Sequence, residues 1–224
     1  MEKIIIFGTG QTAEIVYKYF MKDNSFEVVA FTADRDFIAK ERLFNLPVVP
    51  FDTIQNKYPI NEYKMFVAIG YTNLNELRAE KYKEVKNKGY QLVNYIDKDS
   101  GINPDIVIGD NCLVLENQSI QPFSEIGSNV FVWGSVVIAH HSTIGNHCWI
   151  TSGVSIAGNT KIGDFCFIGI NATIGHMIQI GKKCLIGAGA IITKSAEDNS
   201  VFIEKETEKF ALDSSRFLKL TKMG

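Results

Sequence analysis

A six-residue period of branched aliphatic side chains runs through the second half of the chain. Every sixth residue from Ile102 to Ile192 is Ile or Val, without exception. Ile-Gly pairs also recur every eighteen residues, beginning at positions 108, 126, 144, 162 and 180. This double period is typical of a hexapeptide solenoid, in which three hexapeptides make one triangular coil. We expect each aliphatic side chain to point inward and to stack on its copies one coil above and below.

The cysteines follow the same repeat, four residues after an aliphatic position. Cys148, Cys166 and Cys184 are eighteen residues apart and should form one column along the prism, while Cys112 lies in the same register. A column of thiols does not converge on one metal ion, and no C-x-x-C pair is present. We therefore predict compact core residues, with neither a metal site nor disulfides.

The first hundred residues follow a different pattern, in which short apolar strands alternate with helices. KIIIFGTGQTAEIVYKYF is typical of a strand, a glycine turn and a helix, and further strands are predicted at FEVVAF, PVVPF, EYKMFVAIG and YQLVNYI. A capping box of Asn73 and Glu76 predicts the start of another helix. We predict a small Rossmann-like parallel α/β domain (1–98), a left-handed parallel β-helix (99–200) and a C-terminal tail (201–224) that contains a short amphipathic helix.

The glycine turn has the spacing G-x-G-x-x-A, with Gly8, Gly10 and Ala13 at the fixed positions. Such a turn exposes the N–H groups of a helix N-terminus, which suit a phosphate group. Thr32 stands where an NAD-binding fold usually has its ribose-binding acid, and Asp34 comes two residues later. The domain also has only half of a full dinucleotide fold, so a uridine- or thymidine-type nucleotide sugar fits better than NAD.

Charge and hydropathy narrow the classes of partner. The formal net charge is −2, which gives no electrostatic case for binding nucleic acid or an anionic membrane. No apolar run reaches the roughly 18 residues that a membrane span needs, and the amino terminus lacks a signal-peptide core. We therefore expect a cytoplasmic protein.

A short domain beginning G-x-G-x-x-A, followed by a hexapeptide prism, resembles the NeuD/PglD family of sugar acyltransferases over about residues 1 to 200. The resemblance implies a homotrimer that transfers acetyl from acetyl-CoA to a nucleotide-linked amino sugar in O-antigen or other glycan biosynthesis. It implies a nucleotide-sugar site in the first domain and a coenzyme groove between neighbouring prisms. No metal is expected.

The family's catalytic motif, His-Asp/Glu-x-x-Ile-Gly, is matched by HHSTIG. The match implies that His140 is the general base and that His141 occupies the position of the usual acid. By the same resemblance, the coenzyme contacts are Trp149, Gly158, Ile170 and Ala188. The implied nucleotide-sugar contacts are Gly8, Gly10, Gln11, Thr32, Ala33 and Gly70, with Asp34 beside them.

The spacing of the histidines leaves a metal site as an alternative to catalysis. His140 and His176 fall in one corner column, two coils apart, which matches one ligand interval of the γ-class carbonic anhydrases that share this prism. Gly181 stands where that class has its third histidine, so one ligand is missing. His147 falls in a turn and is predicted to be a surface residue.

Three functions are compatible with the sequence. The first is N-acetylation of a dTDP- or UDP-linked 4-amino-4,6-dideoxy sugar, by direct attack of the amine with His140 accepting its proton. The second is O-acetylation of a sugar on the same scaffold. The third is a non-enzymatic, nucleotide-binding solenoid.

Overall fold

The apolar segments of the first half form a mainly parallel sheet in the computed structural model, which describes residues 1–103 and 105–221. The elements of this domain are strands β1 (Glu2–Phe7), β2 (Phe26–Ala33), β3 (Arg42–Leu43), β4 (Leu46–Pro50) and β5 (Lys64–Val67), helices α1 (Gln11–Phe20) and α2 (Glu76–Asn87), and 3₁₀ turns at Arg35–Phe37 and Phe51–Asn56. The strand order is β3-β4-β2-β1-β5. Only the short β3–β4 pair is antiparallel.

The central strand β1 is buried on both faces, as a parallel sheet with helices on either side requires. Successive strand side chains point to opposite faces. Ile4 and Ile6 therefore pack in the cluster that contains Val16 of α1, whereas Ile5 packs in the cluster that contains Val85 of α2. The sequence-based prediction of a small Rossmann-like α/β domain is confirmed.

The predicted fifth strand, YQLVNYI, is divided between the two halves of the fold. Leu92 makes only an isolated bridge to Met65 of the first sheet. Tyr95–Ile96 instead forms strand β6, which pairs with Leu113 and Val114 in the β-helix. The exact boundary at residue 98 stays a prediction.

Each hexapeptide contributes one two-residue strand to a face of a triangular parallel β-helix. The covered face, which packs against the first domain, contains β6, β8 (Leu113–Val114), β11 (Phe131–Val132), β14 (Trp149–Ile150), β17 (Phe167–Ile168), β20 (Leu185–Ile186) and β22 (Val201–Phe202). A second face is called the polar face because the first residue of most of its strands is polar. It contains β7 (Val107–Ile108), β10 (Glu125–Ile126), β13 (Thr143–Ile144), β16 (Lys161–Ile162) and β19 (Gln179–Ile180). The third face is called the uncharged face because its strands contain no charged residue. It contains β9 (Ser119–Ile120), β12 (Val137–Ile138), β15 (Ser155–Ile156), β18 (Thr173–Ile174) and β21 (Ile191–Ile192).

The second residue of each strand points inward and builds the core of the prism. Strands eighteen residues apart pair in register, as Ile126 does with Ile144. The thiols of Cys112, Cys148 and Cys166 are fully buried among these aliphatic side chains, and that of Cys184 is buried with them. The predicted solenoid and the core position of the cysteines are confirmed.

The corners of the prism also repeat every six residues. From position 111 to position 189, every sixth residue has a positive φ, including His141 at 58° and Asn159 at 56°. This left-handed conformation is uncommon outside glycine and is best tolerated by asparagine. The five asparagines and two glycines in the series therefore satisfy the corner geometry, and the conformation of His141 is imposed by the coil. The full series is Asn111, Asn117, Phe123, Asn129, Ser135, His141, His147, Gly153, Asn159, Phe165, Asn171, Met177, Lys183 and Gly189.

The carboxyl-terminal tail leaves the last coil after β22 and ends in helix α3 (Ser214–Thr221), as predicted for an amphipathic segment. None of the described residues of α3 is buried. Residues 222–224 lie outside the described part of the chain. No helix among the described residues is long and apolar enough to span a membrane.

Candidate active site

The glycine turn after β1 requires glycine at its first position. Gly8 has a φ of 130°, and a Cβ there would lie 2.6 Å from the carbonyl oxygen of Ala68. The N–H of Gly8 donates to the carbonyl of Thr32, which fixes the turn to β2. Helix α1 then begins at Gln11, so the N–H groups of its first turn, which have no partner within the helix, lie at the turn.

A pocket of about 360 Å³ opens at this turn, at the carboxyl ends of β1, β2 and β5. The pocket position agrees with the general rule for ligand sites in open α/β sheets. Six of the seven predicted nucleotide-sugar residues line it, namely Gly8, Gly10, Gln11, Ala33, Asp34 and Gly70. The structure therefore brings this predicted group together.

Thr32 is the exception in that group. Its side chain is fully buried, and its hydroxyl donates to the carbonyl of Val49 at 2.7 Å. The side chain is thus used to join β2 to β4 and does not line the pocket. The structure therefore does not bring Thr32 together with the other six residues, and its contact with the ligand stays a prediction.

Lys81 is a pocket residue that the sequence analysis missed. Its ammonium group lies 2.9 Å from a carboxylate oxygen of Asp34 and 2.8 Å from one of Glu84. Burial alone would lower the pKa of Lys81, but the hydrogen bonds and charges of Glu84 and Asp34 outweigh it and raise the pKa. The pocket therefore holds a permanent cation beside Asp34. The signal that could have found it is the position of Lys81 one turn into α2, the helix that follows β5.

Helix α2 does not begin with the predicted capping box. It starts at Glu76, and the preceding Asn75 has a left-handed backbone with no side-chain cap. The Asn75 amide is used elsewhere, because it accepts a hydrogen bond from Arg78 and donates one to the carbonyl of Cys166. Contacts with the β-helix have replaced the local cap.

His140 lies at the corner between the uncharged and polar faces, and its side chain is exposed. Its imidazole lies over Gly158, one coil further along the prism. A Cβ at residue 158 would approach Cε1 of His140 to 2.8 Å and Nε2 to 2.9 Å, so the ring position depends on the glycine. The N–H of His140 donates to the side-chain carbonyl of Gln121 at 3.1 Å. The backbone of the corner is thereby fixed while the ring faces solvent.

His141 supplies the partner of the His140 ring. The two Nδ1 atoms lie 3.0 Å apart, so one imidazole donates and the other accepts. The ring of His141 also packs on that of Phe123, with centroids 4.8 Å apart. An imidazole therefore occupies the place of the carboxylate in the family motif.

The four predicted coenzyme contacts separate into three places. Gly158 lies under His140, whereas Ile170 and Ala188 are exposed in one column at the corner between the covered and uncharged faces. Trp149 belongs to the covered face and is only 4% exposed. Its ring packs on Phe131, with centroids 5.0 Å apart. Packing against the first domain therefore buries the ring apart from the other three residues, and its assignment to the coenzyme stays a prediction.

His147 is also buried, contrary to its predicted place on the surface. Its ring packs between Tyr82 of α2 and Phe165 of the next coil. Asn129 donates from its amide nitrogen to Nδ1 of His147 at 2.9 Å. Burial, and next the charge of Arg78, lower the pKa of His147 to about 4. His147 is therefore a neutral member of the junction between the two halves of the fold.

Among the described residues, no group of three His, Cys, Asp or Glu side chains is arranged to hold a metal ion.

Comparison with known proteins matches both halves of the chain. Residues 3–85 match the family model described as the PglD N-terminal domain, and residues 159–194 match the one described as bacterial transferase hexapeptide (six repeats). A search of curated proteins gave no significant match.

Several solved structures share the whole fold. The acetyltransferase domain of PglB from Neisseria gonorrhoeae is 22% identical, with a TM-score of 0.82, over 91% of this chain and 97% of that one. PerB from Caulobacter crescentus, solved in complex with CoA and GDP-perosamine, is 24% identical, with a TM-score of 0.80, over 91% of this chain and 95% of that one. WeeI from Acinetobacter baumannii is 22% identical, with a TM-score of 0.69, over 91% and 97%.

At these identities the structural matches establish the fold, and the two family models add the identity of each half. A PglD-type amino-terminal domain is followed by a hexapeptide-repeat β-helix, in the order that the sequence predicted. In both halves, and in their order, the chain is therefore similar to the NeuD/PglD-type sugar acyltransferases.

Proposed function

We propose that the protein transfers the acetyl group of acetyl-CoA to the amine of a nucleotide-linked 4-amino-4,6-dideoxy sugar. The observation that carries this proposal is the exposed His140 ring, held by His141 and Gly158 at a prism corner, in a chain that also has a nucleotide-sized pocket at a glycine turn. The PglB domain has been solved with acetyl coenzyme A and PerB with CoA and GDP-perosamine, which supports both substrates.

In the proposed reaction the amine nitrogen attacks the thioester carbonyl carbon directly. His140 takes the amine proton at Nε2, the carbon–sulfur bond breaks, and protonated His140 then gives this proton to the sulfur, so that coenzyme A leaves as the thiol. His140 can serve as base at Nε2 only if its Nδ1 carries a hydrogen, which His141 Nδ1 accepts. General-base assistance of this kind is typically worth about 10²–10⁴-fold.

A covalent acyl-cysteine intermediate finds no support in the core. All four thiols are buried, and burial raises the pKa of Cys112 to about 12. A thiolate is the reactive form of cysteine, so these side chains are poor nucleophiles where they lie. Direct transfer from acetyl-CoA to the sugar is therefore preferred.

We propose that the working unit is a homotrimer with its active sites between subunits. Ile170 and Ala188, the proposed coenzyme contacts, lie on a different edge of the prism from His140. A second copy, placed with that edge against the His140 corner, would combine the two groups in one groove. Sedimentation equilibrium of the full chain tests the assembly, and a monomer with full activity would contradict it.

The nucleotide is proposed to occupy the pocket at the glycine turn, with its phosphates at the N-terminus of α1. Gly8, Gly10 and Gln11 surround this position, and the permanent cation of Lys81 lies in the same pocket. We propose a dTDP- or UDP-linked sugar as the acceptor. Because PerB was solved with a GDP-linked sugar, GDP-linked sugars are the first alternative acceptors to compare with dTDP- and UDP-linked ones.

The test is a panel of dTDP-, UDP- and GDP-linked sugars with acetyl-CoA, read by release of free thiol. The proposal predicts thiol release with a 4-amino sugar and an acetylated amine in the product. Release only with a hydroxyl acceptor would favour O-acetylation, and the absence of thiol release with every acceptor would favour a nucleotide-binding solenoid without activity. We also propose a cytoplasmic location, in which the four unpaired cysteines would remain reduced.

A further inference from the structure

Arg78 is a fully buried arginine on α2, at the junction between the first domain and the β-helix. Its three guanidinium nitrogens donate hydrogen bonds to six acceptors, all of them carbonyl or amide oxygens. Two belong to the first domain and four to the β-helix. The acceptors are the carbonyl of Gly70 and Oδ1 of Asn75 at 3.2 and 2.8 Å, Oδ1 and the carbonyl of Asn129 at 3.3 and 3.2 Å, and the carbonyls of His147 and Cys148 at 3.1 and 3.2 Å.

Aromatic rings complete the surroundings of this guanidinium. Its central carbon lies 4.7 Å from the ring centroid of Phe131 and 5.2 Å from that of Trp149. Burial lowers the pKa of Arg78 to about 9, so the side chain is still a cation at neutral pH. A planar cation with fixed donors is suited to joining two backbones at defined angles, which a lysine could not do.

The first-domain partners of Arg78 belong to a wall of the nucleotide pocket, residues 68–75. Gly70 lines the pocket directly. The segment that follows has three consecutive left-handed residues, Asn73, Leu74 and Asn75, with φ values of 50°, 46° and 69°. Such a backbone is sparsely populated and persists only where surrounding contacts hold it. In the same wall, Tyr71 packs on Phe167 of the covered face, with ring centroids 4.8 Å apart.

The β-helix partners of Arg78 are themselves fixed. Asn111 and Asn129 are stacked corner residues one coil apart, joined by a hydrogen bond of 2.7 Å. Asn111 also accepts a hydrogen bond from the N–H of Val67, at the end of β5. The pocket wall is therefore attached at both ends to the same column of β-helix corners. Before the wall, Val67 donates to Asn111. Within the wall, Gly70 and Asn75 accept from Arg78, which also donates to Asn129 of the column.

We propose that Arg78 is a positioning residue for the nucleotide, which holds the pocket wall of residues 68–75 on the β-helix that carries His140. This inference rests on the proposed function, because it assumes that the pocket takes the nucleotide part of the substrate. Arg78 does not line the pocket, so its effect on the ligand passes through the wall. The proposal differs from a general role in stability, which would weaken coenzyme binding equally.

The experiment measures binding of dTDP, UDP and GDP, and separately of coenzyme A, to the full chain by titration calorimetry. Arg78→Met keeps an apolar side chain but removes every hydrogen-bond donor. Arg78→Lys keeps the positive charge but loses the planar guanidinium group with its fixed donors. Arg216→Met, at an exposed arginine of α3, is the matched control. Melting midpoints are recorded for all variants.

For the nucleotide that the wild type binds, we expect Arg78→Met to raise Kd about tenfold or more, as loss of hydrogen bonds to a charged donor implies. Coenzyme A affinity should be unchanged, and Arg78→Lys should be intermediate; if Arg78→Met does not fold, Arg78→Lys carries the comparison. An unchanged nucleotide Kd, an equal loss of coenzyme affinity, or no nucleotide binding by the wild type would overturn the proposal. Nucleotide binding without thiol release would refute the proposed function and leave this inference standing.

Discussion

The imidazole rings of His140 and His141 meet through their Nδ1 atoms, 3.0 Å apart. Only one proton can lie between these two nitrogens, so one imidazole must be the donor and the other the acceptor. When His140 acts as a base at Nε2, its Nδ1 hydrogen must point to His141. His141 then orients the base as a carboxylate would, but as a neutral acceptor.

Two substitutions of His141 separate the effect of its hydrogen bond from the effect of its left-handed backbone. His141→Asn retains an acceptor oxygen, and asparagine adopts the left-handed backbone readily, so most activity should survive. His141→Gly keeps the backbone but removes the acceptor, and kcat should fall about tenfold or more as the base loses its orientation. Steady-state kinetics with acetyl-CoA and the amino-sugar acceptor provide the comparison. Equal activity in the two variants would mean that the His141 side chain does not position His140.

Gly158 controls the position of the His140 ring. Gly158→Ala would place a methyl group within 3 Å of Cε1 and Nε2, and the exposed ring would have to move away. We expect kcat to fall about tenfold or more, because general-base catalysis requires hydrogen-bond reach to the amine. The melting midpoint should change little, since a mobile side chain absorbs the contact. Retained kcat would show that the ring position over residue 158 is not the active one.

His147 makes the protein sensitive to acid. Its native pKa is about 4, against an ordinary value of 6.5, so the unfolded chain binds the proton first as the pH falls. The stability associated with neutral His147 is complete above pH 6.5 and is lost progressively towards pH 4. Between pH 7 and 5 this loss amounts to about 2 kcal/mol.

The matched variant is His147→Asn, because asparagine suits the left-handed corner and cannot titrate. Urea unfolding at pH 7 and pH 5 should show a smaller loss of stability in the variant than in the wild type. An identical pH dependence in both proteins would contradict the assignment of His147 as a buried neutral residue.

The buried thiols predict inert cysteines. A chromogenic disulfide reagent should label none of the four cysteines quickly in the native protein and all four after denaturation, because the native side chains are inaccessible. An alkylating reagent should likewise leave activity unchanged. Rapid labelling of a native cysteine together with loss of activity would reopen the possibility of an acyl-cysteine intermediate.

The period of six predicted the β-helix because each branched aliphatic occupies an equivalent place in a repeating coil. The same alignment predicted the burial of Cys148 and the corner position of His140. The pocket residues from Gly8 to Gln11 could be predicted because a glycine turn and the following helix are local features of the chain.

The burial of Trp149 and His147 was not predicted, and both residues lie where the two halves of the fold meet. Trp149 and His147 were assigned from their place in the repeat, but the first domain covers them, and this packing is not local in sequence. A signal was present, since the residue before each inward aliphatic on the covered face is large and apolar in five successive coils. Those residues are Leu113, Phe131, Trp149, Phe167 and Leu185.

The turnover number of His140→Ala, compared with His176→Ala in the same exposed corner column, tests the proposed mechanism most directly. We predict that His140→Ala lowers kcat for amine acetylation by about 10²-fold or more, with an unchanged Kd for coenzyme A. His176→Ala should keep close to wild-type turnover. Wild-type turnover in His140→Ala would contradict the assignment of His140 as the general base.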